Sequence, residues 1–180
     1  MKEHILSRYD RDSDKNLLIK IFTTKIEDLY DDYDKKSSFI KKDLKDSLRD
    51  YLYESVDEIE KAPFVLQFYF NESSNEESKK RLKSSINSYF SYLISLEKRS
   101  MKESLKNSLI FFILGFLLVF ISLTLSEHEN IAFKLLSEGV MIGGWVALWE
   151  ALATILVNWL PLRKNLNIYQ KIADAKVEVF

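Results

Sequence analysis

Cysteine is absent from these 180 residues, and the chain holds only two histidines, two prolines and four glycines. Without cysteine there are no disulfides and no thiolate ligands for zinc, and His4 and His128 alone make a histidine-rich metal or catalytic centre unexpected. Positive charge is not in excess, because 26 Lys and Arg oppose 27 Asp and Glu, for a net charge of -1. This balance excludes the globally basic profile of a nucleic-acid-binding protein. The first residues, MKEHILSRYDRDSDK, lack the apolar stretch of a signal peptide, so none is expected.

Residue types are distributed unevenly along the chain. Before about residue 105 the sequence is rich in Lys, Asp, Glu, Ser and Tyr, whereas charges become scarce between Leu109 and Leu160. All glycines and tryptophans lie beyond residue 110: Gly115, Gly139, Gly143, Gly144, Trp145, Trp149 and Trp159. This division indicates a soluble part followed by a membrane part.

Two apolar segments are long enough to cross a bilayer. Leu109–Leu125 carries no charge and extends back to Leu105, and a second segment runs from Leu135 to Leu160. A hydrocarbon core of ~30 Å needs roughly 20 helical residues, so we expect spans at about 105–125 and 135–160. The polar connection SEHENIAFK is short, which favours an antiparallel hairpin over residues 105–160. The alternative is a buried core helix of a soluble protein.

The distribution of cations predicts the orientation of this hairpin. Cations flank its two outer ends, at Lys98, Arg99, Lys102, Lys106, Arg163, Lys164 and Lys171, whereas the connection has only Lys134. The positive-inside rule then places both termini in the cytoplasm and the connection outside. Trp159 and Pro161 are expected to mark the inner interface, where the proline ends the helix.

Small residues recur at every fourth position of the second segment, at Gly139, Gly143, Ala147 and Ala151. Side chains at this spacing form one slowly turning stripe, which lets another helix approach closely in a bilayer. The partner is either the first span or the same helix of another subunit.

Glu150 is a carboxylate near the middle of the second span. An ionised carboxylate facing lipid costs about 2.5–3.5 kcal/mol on insertion scales, so it needs a proton, a polar partner or water. Asn158, two turns further on, is expected to join Glu150 in a polar track. Three roles stay open for Glu150: lining or gating a pore, holding an oligomer together as a neutral hydrogen-bonding group, and catalysis.

The soluble part predicts an α+β fold. Leu17–Phe22 alternates in hydrophobicity and Phe64–Phe70 is rich in aromatics, so both read as strands. A helix with Ser37 or Ser38 as N-cap is expected between them, with apolar residues at Ile40, Leu44, Leu48, Leu52, Val56 and Ile59. A crossover of this length allows a parallel pair, and KVEVF at the C-terminus offers a third strand.

The predicted domain organisation follows from these elements. Residues 1–78 form a cytoplasmic strand–helix–strand domain, 79–104 a long connecting helix, and 161–180 a C-terminal helix and strand. The connecting helix is expected either to run into the first span or to break near Ser100.

Two clusters of cations offer a site for an anionic ligand. The candidate residues are Lys41, Lys42, Lys45, Lys79, Lys80, Arg81 and Lys83. Acidic residues are interleaved with them, so the competing explanation is an ordinary solvated helix surface. A phosphate-bearing ligand such as a nucleotide or oligonucleotide, or anionic lipid, would fit the alternative.

The order of these segments resembles a family of small bacterial two-span membrane proteins with a tryptophan-rich second span. Two motifs carry the resemblance, at Leu29, Asp34, Ser38, Phe39, Asp43 and Leu44, and at Glu138, Gly139, Gly144, Trp145, Val146, Ala147, Trp149, Trp159 and Pro161. The chain departs from the family at Glu150-Ala151, where the family often has Arg-Pro. A narrower resemblance is to membrane effectors of anti-phage systems controlled by nucleotide signals, such as the Hailong type. It implies channels that depolarise the cell, with a signal-producing nucleotidyltransferase as operon partner.

From these observations we expect a homo-oligomeric, gated ion-conducting pore, with a tetramer as the working assembly. The alternative is a non-conducting scaffold or assembly factor anchored by the hairpin. No nucleophile, metal site or phosphate-binding loop stands out in the sequence, so neither an enzyme nor a cofactor is expected.

Overall fold

The computed structural model describes residues 4, 6–31, 43–72 and 76–180. The chain divides into two compact units, the first formed by Met1–Ser95 with Leu166–Phe180 and the second by Leu96–Asn165. The fold is α+β, as the sequence predicts.

A four-stranded sheet organises the first unit. Its strands are β1 (Asp10–Arg11), β2 (Leu17–Thr23), β3 (Phe64–Phe70) and β4 (Lys176–Val179), in the order β1-β2-β3-β4. Strand β3 is parallel to both β2 and β4, which confirms the predicted parallel pair and the C-terminal strand. Strand β1 pairs antiparallel with β2 and was not predicted, because two residues are too few to show a periodic pattern.

The helical elements lie between β2 and β3 and between β3 and β4. They are a 3₁₀ helix (Ile26–Leu29), α1 (Asp46–Ile59), α2 (Glu76–Ser126), α3 (Ile131–Ala153), a π-helical segment (Thr154–Trp159) and α4 (Leu160–Ala173). Helix α2 passes Ser100 without a break, so the continuous helix is the correct one of the two alternatives.

Helix α1 starts later than its apolar spacing predicts. Leu44 forms an antiparallel bridge with Tyr30, and the helix begins only at Asp46. Backbone held extended in such a bridge has no helical conformation, so the prediction of a helical Leu44 is wrong. The predicted N-cap and first apolar position, at residues 37–40, lie outside the described residues.

The core of the first unit lies on one face of the sheet. Inward-facing strand residues and apolar residues of α1, α2 and α4 form one buried cluster that includes Leu17, Ile19, Leu66, Phe68, Leu52, Val56, Leu82, Ile86, Phe90, Ile168 and Ile172. Burial of this apolar surface is the main stabilising contribution to the unit. Helix α2 contributes Leu82, Ile86 and Tyr89, which are all buried.

The opposite face of the sheet carries a row of stacked aromatic rings. Phe22 stacks on Tyr69 and Tyr69 stacks on Phe180, each pair with ring centroids 4.9 Å apart. The outer two rings are open to the surroundings, with Phe22 72% and Phe180 55% exposed. Cross-strand aromatic pairs of this kind contribute to the stability of a sheet.

The second unit contains the apolar parts of two helical stretches. The helical stretches Glu76–Ser126 and Ile131–Ala173 each contain an 18-residue window apolar enough to cross a membrane, with mean hydropathy of 2.7 and 1.9. Only 17% and 22% of these windows are buried inside the protein, whereas a core helix of a soluble protein would be mostly buried. This exposure indicates association with a membrane.

Candidate functional site

Pairs of small residues hold the two apolar helices together at three levels, seven residues apart on each helix. The pairs are Ser108 with Ala151, Gly115 with Gly144, and Ser122 with Ser137. Along the contact, the residue number increases on α2 as it decreases on α3, so the two helices run antiparallel and form the predicted hairpin. A seven-residue repeat keeps the contact on one seam of both helices.

Serine hydroxyls at two of these levels bond to backbone carbonyls of the facing helix. Ser108 Oγ donates to the carbonyl of Ala151 at 2.8 Å. Ser122 and Ser137 bond reciprocally, each hydroxyl donating to the carbonyl of the other residue, at 2.8 and 2.9 Å. Interhelical bonds of this type average about 0.6 kcal/mol in a membrane protein.

Glycine at the middle level allows the helix backbones to touch. A Cβ added at Gly115 would lie 2.7 Å from Leu148 Cγ and 3.0 Å from the carbonyl oxygen of Gly144. A Cβ added at Gly144 would lie 2.8 Å from Val119 Cγ2 and 3.2 Å from the carbonyl oxygen of Gly115. The hairpin therefore has no room for a larger side chain at either position.

The predicted stripe of small residues divides between two environments. Ala147 and Ala151 are buried within the hairpin. A Cβ at Gly143 would only be in ordinary contact with Leu118, at 3.7 Å, and a Cβ at Gly139 would meet nothing within 4 Å. The stripe thus turns from the seam towards the outside of the hairpin as it approaches its N-terminal end.

The sequence interpretation missed most of the residues on the seam. It named Ala151 but gave no role to Ser108, Gly115, Ser122, Ser137 or Gly144. The signal was present in the seven-residue spacing of small residues on both helices, which the shorter four-residue stripe obscured.

Glu150 and Asn158 both lie on the exposed surface of the hairpin. Within the described part of the chain, neither side chain forms a hydrogen bond or ion pair with another residue. Their immediate neighbours are apolar, and Trp149 is 71% exposed beside Glu150. The hairpin alone therefore leaves two polar side chains on a surface that is otherwise apolar.

The π-helical segment brings these two residues towards a common face. Eight residues of ideal α-helix would place Asn158 about 80° around the axis from Glu150. In the π-helical segment Thr154–Trp159, backbone N–H groups donate to the carbonyl five residues earlier, whereas in an α-helix they donate to the carbonyl four residues earlier. Leu160 N–H, for example, donates to the carbonyl of Ile155. The extra residue in this turn offsets most of that rotation.

The prediction that Pro161 ends the helix is wrong, because α4 continues to Ala173. Proline in a helix removes one backbone donor and clashes with the carbonyl four residues earlier. The π-helical segment directly before Pro161 widens the turn that contains this carbonyl, on Val157. The helix therefore accommodates Pro161 and continues past it.

Two apolar grooves lie on the surface of the hairpin. The first, which we call the Gly139 groove, is lined by Leu118, Leu135, Gly139 and Gly143 and encloses about 610 Å³. The second, the Phe112 groove, is lined by Phe112, Phe116, Leu148 and Leu152 and encloses about 460 Å³.

The predicted anionic-ligand residues are divided between separate places in the first unit. Lys45 lines an open cleft of about 310 Å³ at the C-terminal end of β2, together with Lys20, Asp28 and Tyr51. Lys20 in this cleft is bonded to Asp10 at 2.6 Å, so its charge is already balanced. None of the cations at 79–83 lines the cleft, and Lys41 and Lys42 lie outside the described residues.

The cations at the start of α2 form local pairs. Lys79 lies 3.1 Å from Glu76, and Arg81 pairs with Glu77 one turn away. Lys80 and Lys83 are exposed. Intrahelical pairs of this kind are typical of a solvated helix surface and contribute little to stability.

Among the described residues no three His, Cys, Asp or Glu side chains come together in a group that could hold a metal ion. Compared with models of known families, with curated proteins and with solved structures, the chain matches none.

Proposed function

We propose that the protein is a homo-oligomeric membrane protein of the bacterial inner membrane whose second span lines a gated ion-conducting pore. The observation that supports this most is the position of Glu150, which is exposed on the hairpin and has no partner in the described part of the chain. A carboxylate at this depth costs about 2.5–3.5 kcal/mol or more when it faces lipid. An oligomer with a water-filled centre removes that cost, and Asn158 extends the polar surface by two turns.

Two helices per subunit enclose no pore, so conduction requires several copies, and we take a tetramer as the working assembly. The Gly139 groove supports contact between copies, because it presents exposed glycine backbone in an apolar helix. In a bilayer, small residues at such a surface favour close helix–helix contact. Residues of the seam are already used within the hairpin and are not needed for this contact.

The first unit would control the pore from the cytoplasm, where we place both termini. The cleft beside Lys45 is the candidate site for an anionic ligand, and the resemblance to anti-phage effectors suggests a nucleotide signal made by a nucleotidyltransferase encoded nearby. Opening the pore would then depolarise the infected cell.

Ion flux from liposomes tests the proposal. The purified chain is reconstituted in potassium-loaded vesicles, and efflux is followed with a potential-sensitive dye, with nucleotides added to the outside. Glu150→Gln removes the charge from the polar surface and should lower the flux of cations at least several-fold. Lys134→Gln, a single charge change in the helix that carries Glu150, is the matched control and should conduct as the unmodified chain does. Absence of flux with every nucleotide, in vesicles shown to contain oligomers, would refute the pore.

A non-conducting scaffold is the second candidate, and the exposed aromatic row of the sheet favours it. Phe22 and Phe180 present apolar rings that a partner protein could cover. If the scaffold is correct, Phe22→Ser should abolish partner binding in cells, while Glu150→Gln changes nothing.

A further inference from the structure

The Phe112 groove differs from the Gly139 groove in the size of its lining residues. Large apolar side chains of both helices form its walls: Leu105, Leu109, Phe112, Phe116, Leu148 and Leu152. Leu105, Leu109, Phe112 and Phe116 follow one another at intervals of four, three and four residues, so they form one stripe along α2. The groove therefore runs lengthwise along the hairpin.

Lysines continue this stripe beyond the apolar residues. Lys98, Lys102 and Leu105 follow one another at intervals of four and three residues, which places the two lysines on the same face of α2 as the apolar stripe. Both side chains are exposed, and within the described residues neither forms an ion pair. One end of the groove thus carries two uncompensated positive charges.

The facing helix adds a cation and an indole at the same end of the hairpin. Asn165 Nδ2 donates to Glu97 Oε1 at 3.2 Å, which fixes α4 beside the start of this stripe. Two residues before Asn165, the guanidinium of Arg163 lies over the ring of Trp159, 5.4 Å from its centroid. Tryptophan and arginine are favoured side chains at the headgroup level of a bilayer.

We propose that this groove binds one anionic phospholipid, with an acyl chain along Leu109, Phe112 and Phe116 and the headgroup phosphate at Lys98 and Lys102. The rise from Lys102 to Phe116 is about 21 Å at 1.5 Å per residue. Half a bilayer, including its headgroups, measures about 20–22 Å, so the stripe matches the depth of one leaflet. The inference depends on the hairpin lying in a bilayer and not on conduction.

A second copy of the chain fits this groove less well than a lipid does. Its walls are phenylalanine and leucine, which keep another helix backbone at a distance, whereas close helix contact in membranes uses small residues. A second copy would also have to seat its own apolar surface beside the charged end formed by Lys98 and Lys102. The flexible chain and negative headgroup of a phospholipid meet both conditions.

Native mass spectrometry of the full chain tests this binding. Delipidated protein in detergent is titrated with phosphatidylglycerol or phosphatidylcholine of identical acyl chains, and bound lipids are counted by mass. We expect phosphatidylglycerol to bind more tightly. Lys98→Gln and Lys102→Gln should each weaken it about fivefold, as expected for one cation near a membrane surface, and leave phosphatidylcholine unchanged. Leu152→Trp, which fills the groove, should weaken both lipids.

Matched variants outside the groove separate specific binding from general effects. Lys134→Gln removes a cation from the other end of the hairpin, and Leu135→Trp fills the Gly139 groove, so neither should change lipid binding. Equal binding of the two lipids by the unmodified chain would overturn the proposal. So would unchanged binding in both lysine variants, which are exposed and outside the seam, or a change of oligomer mass without loss of lipid in Leu152→Trp.

Discussion

Replacing Gly144 by alanine should force the two helices of the hairpin apart. The new methyl group would lie 2.8 Å from Val119 Cγ2, 3.1 Å from Val119 N and 3.2 Å from the carbonyl oxygen of Gly115. Two of these neighbours are backbone atoms of the facing helix, so the strain is not relieved by turning one side chain. Overpacking of this kind costs about 1–3 kcal/mol.

Gly139→Ala is the control that isolates this cost. A methyl group at Gly139 meets nothing within 4 Å, although the residue lies in the same helix. Alanine raises helix propensity over glycine by up to about 1 kcal/mol, and this gain is shared by both variants. In micelles where the chain is monomeric, so that the Gly139 groove contacts no second copy, the difference between Gly144→Ala and Gly139→Ala therefore measures the packing term alone.

The assay is unfolding of the full chain in detergent micelles by added dodecyl sulfate. All three tryptophans lie in or directly after α3, so their fluorescence reports on separation of the hairpin. We expect Gly144→Ala to be less stable than Gly139→Ala by about 1–3 kcal/mol, or slightly more where the serine bonds also lengthen. Free energies of unfolding within about 0.5 kcal/mol of each other would refute the close backbone contact.

Other predictions concern the serine bonds and the soluble unit. Ser122→Ala and Ser137→Ala should each lower the free energy of unfolding by about 0.6–1.7 kcal/mol in the same assay, because each removes one hydroxyl donor to a backbone carbonyl of the facing helix; no loss in either variant would contradict the reciprocal bonds. Glu60→Gly should raise the midpoint of thermal unfolding of the full chain in detergent. Glu60 has φ 56° and ψ -100°, a backbone conformation that costs a non-glycine residue about 1–3 kcal/mol. A lowered midpoint would contradict this strain. Hydrogen bonding to Lys176 holds the pKa of Glu178 in the folded protein below its ordinary value. The ionised carboxylate therefore stabilises the fold at pH values above the pKa that Glu178 has in the unfolded chain. This stabilisation is lost as the pH falls through the lower pKa that Glu178 has in the folded protein. Glu178→Gln should therefore make unfolding less sensitive to acid, and an unchanged acid profile would argue against the bond.

Much of the sheet could be predicted from the sequence because its strands carry strong local patterns. Phe64–Phe70 is a run of apolar and aromatic residues entered through Pro63, and the observed strand has these bounds. The late start of α1 could not be predicted in this way, since the helical spacing of Leu44 is satisfied equally well by an extended residue. Its bridge to Tyr30 depends on a residue 14 positions earlier in the chain, which local periodicity does not detect.

The apolar spans were predictable from composition, whereas the hairpin seam depends on a pairing of two segments. Gly144 and Gly139 are both glycines of an apolar segment, and the sequence alone does not distinguish them. The facing helix leaves no room for a Cβ at Gly144, whereas a Cβ at Gly139 would meet nothing within 4 Å. The π-helical segment before Pro161 was also hidden, because proline alone predicts the end of a helix. The roles proposed for Glu150 and Asn158 stay predictions.

The accessibility of Glu150 to water tests the proposed pore most directly. The chain contains no cysteine, so Glu150→Cys introduces a single thiol, and only its thiolate reacts quickly with a charged methanethiosulfonate. In membrane vesicles we expect this thiol, and that of Asn158→Cys, to react much faster than the thiol of Leu152→Cys, which replaces an exposed apolar residue two positions away on the opposite side of α3. If Glu150→Cys reacts no faster than Leu152→Cys, the carboxylate faces lipid or packed protein, and a water-filled pore is contradicted.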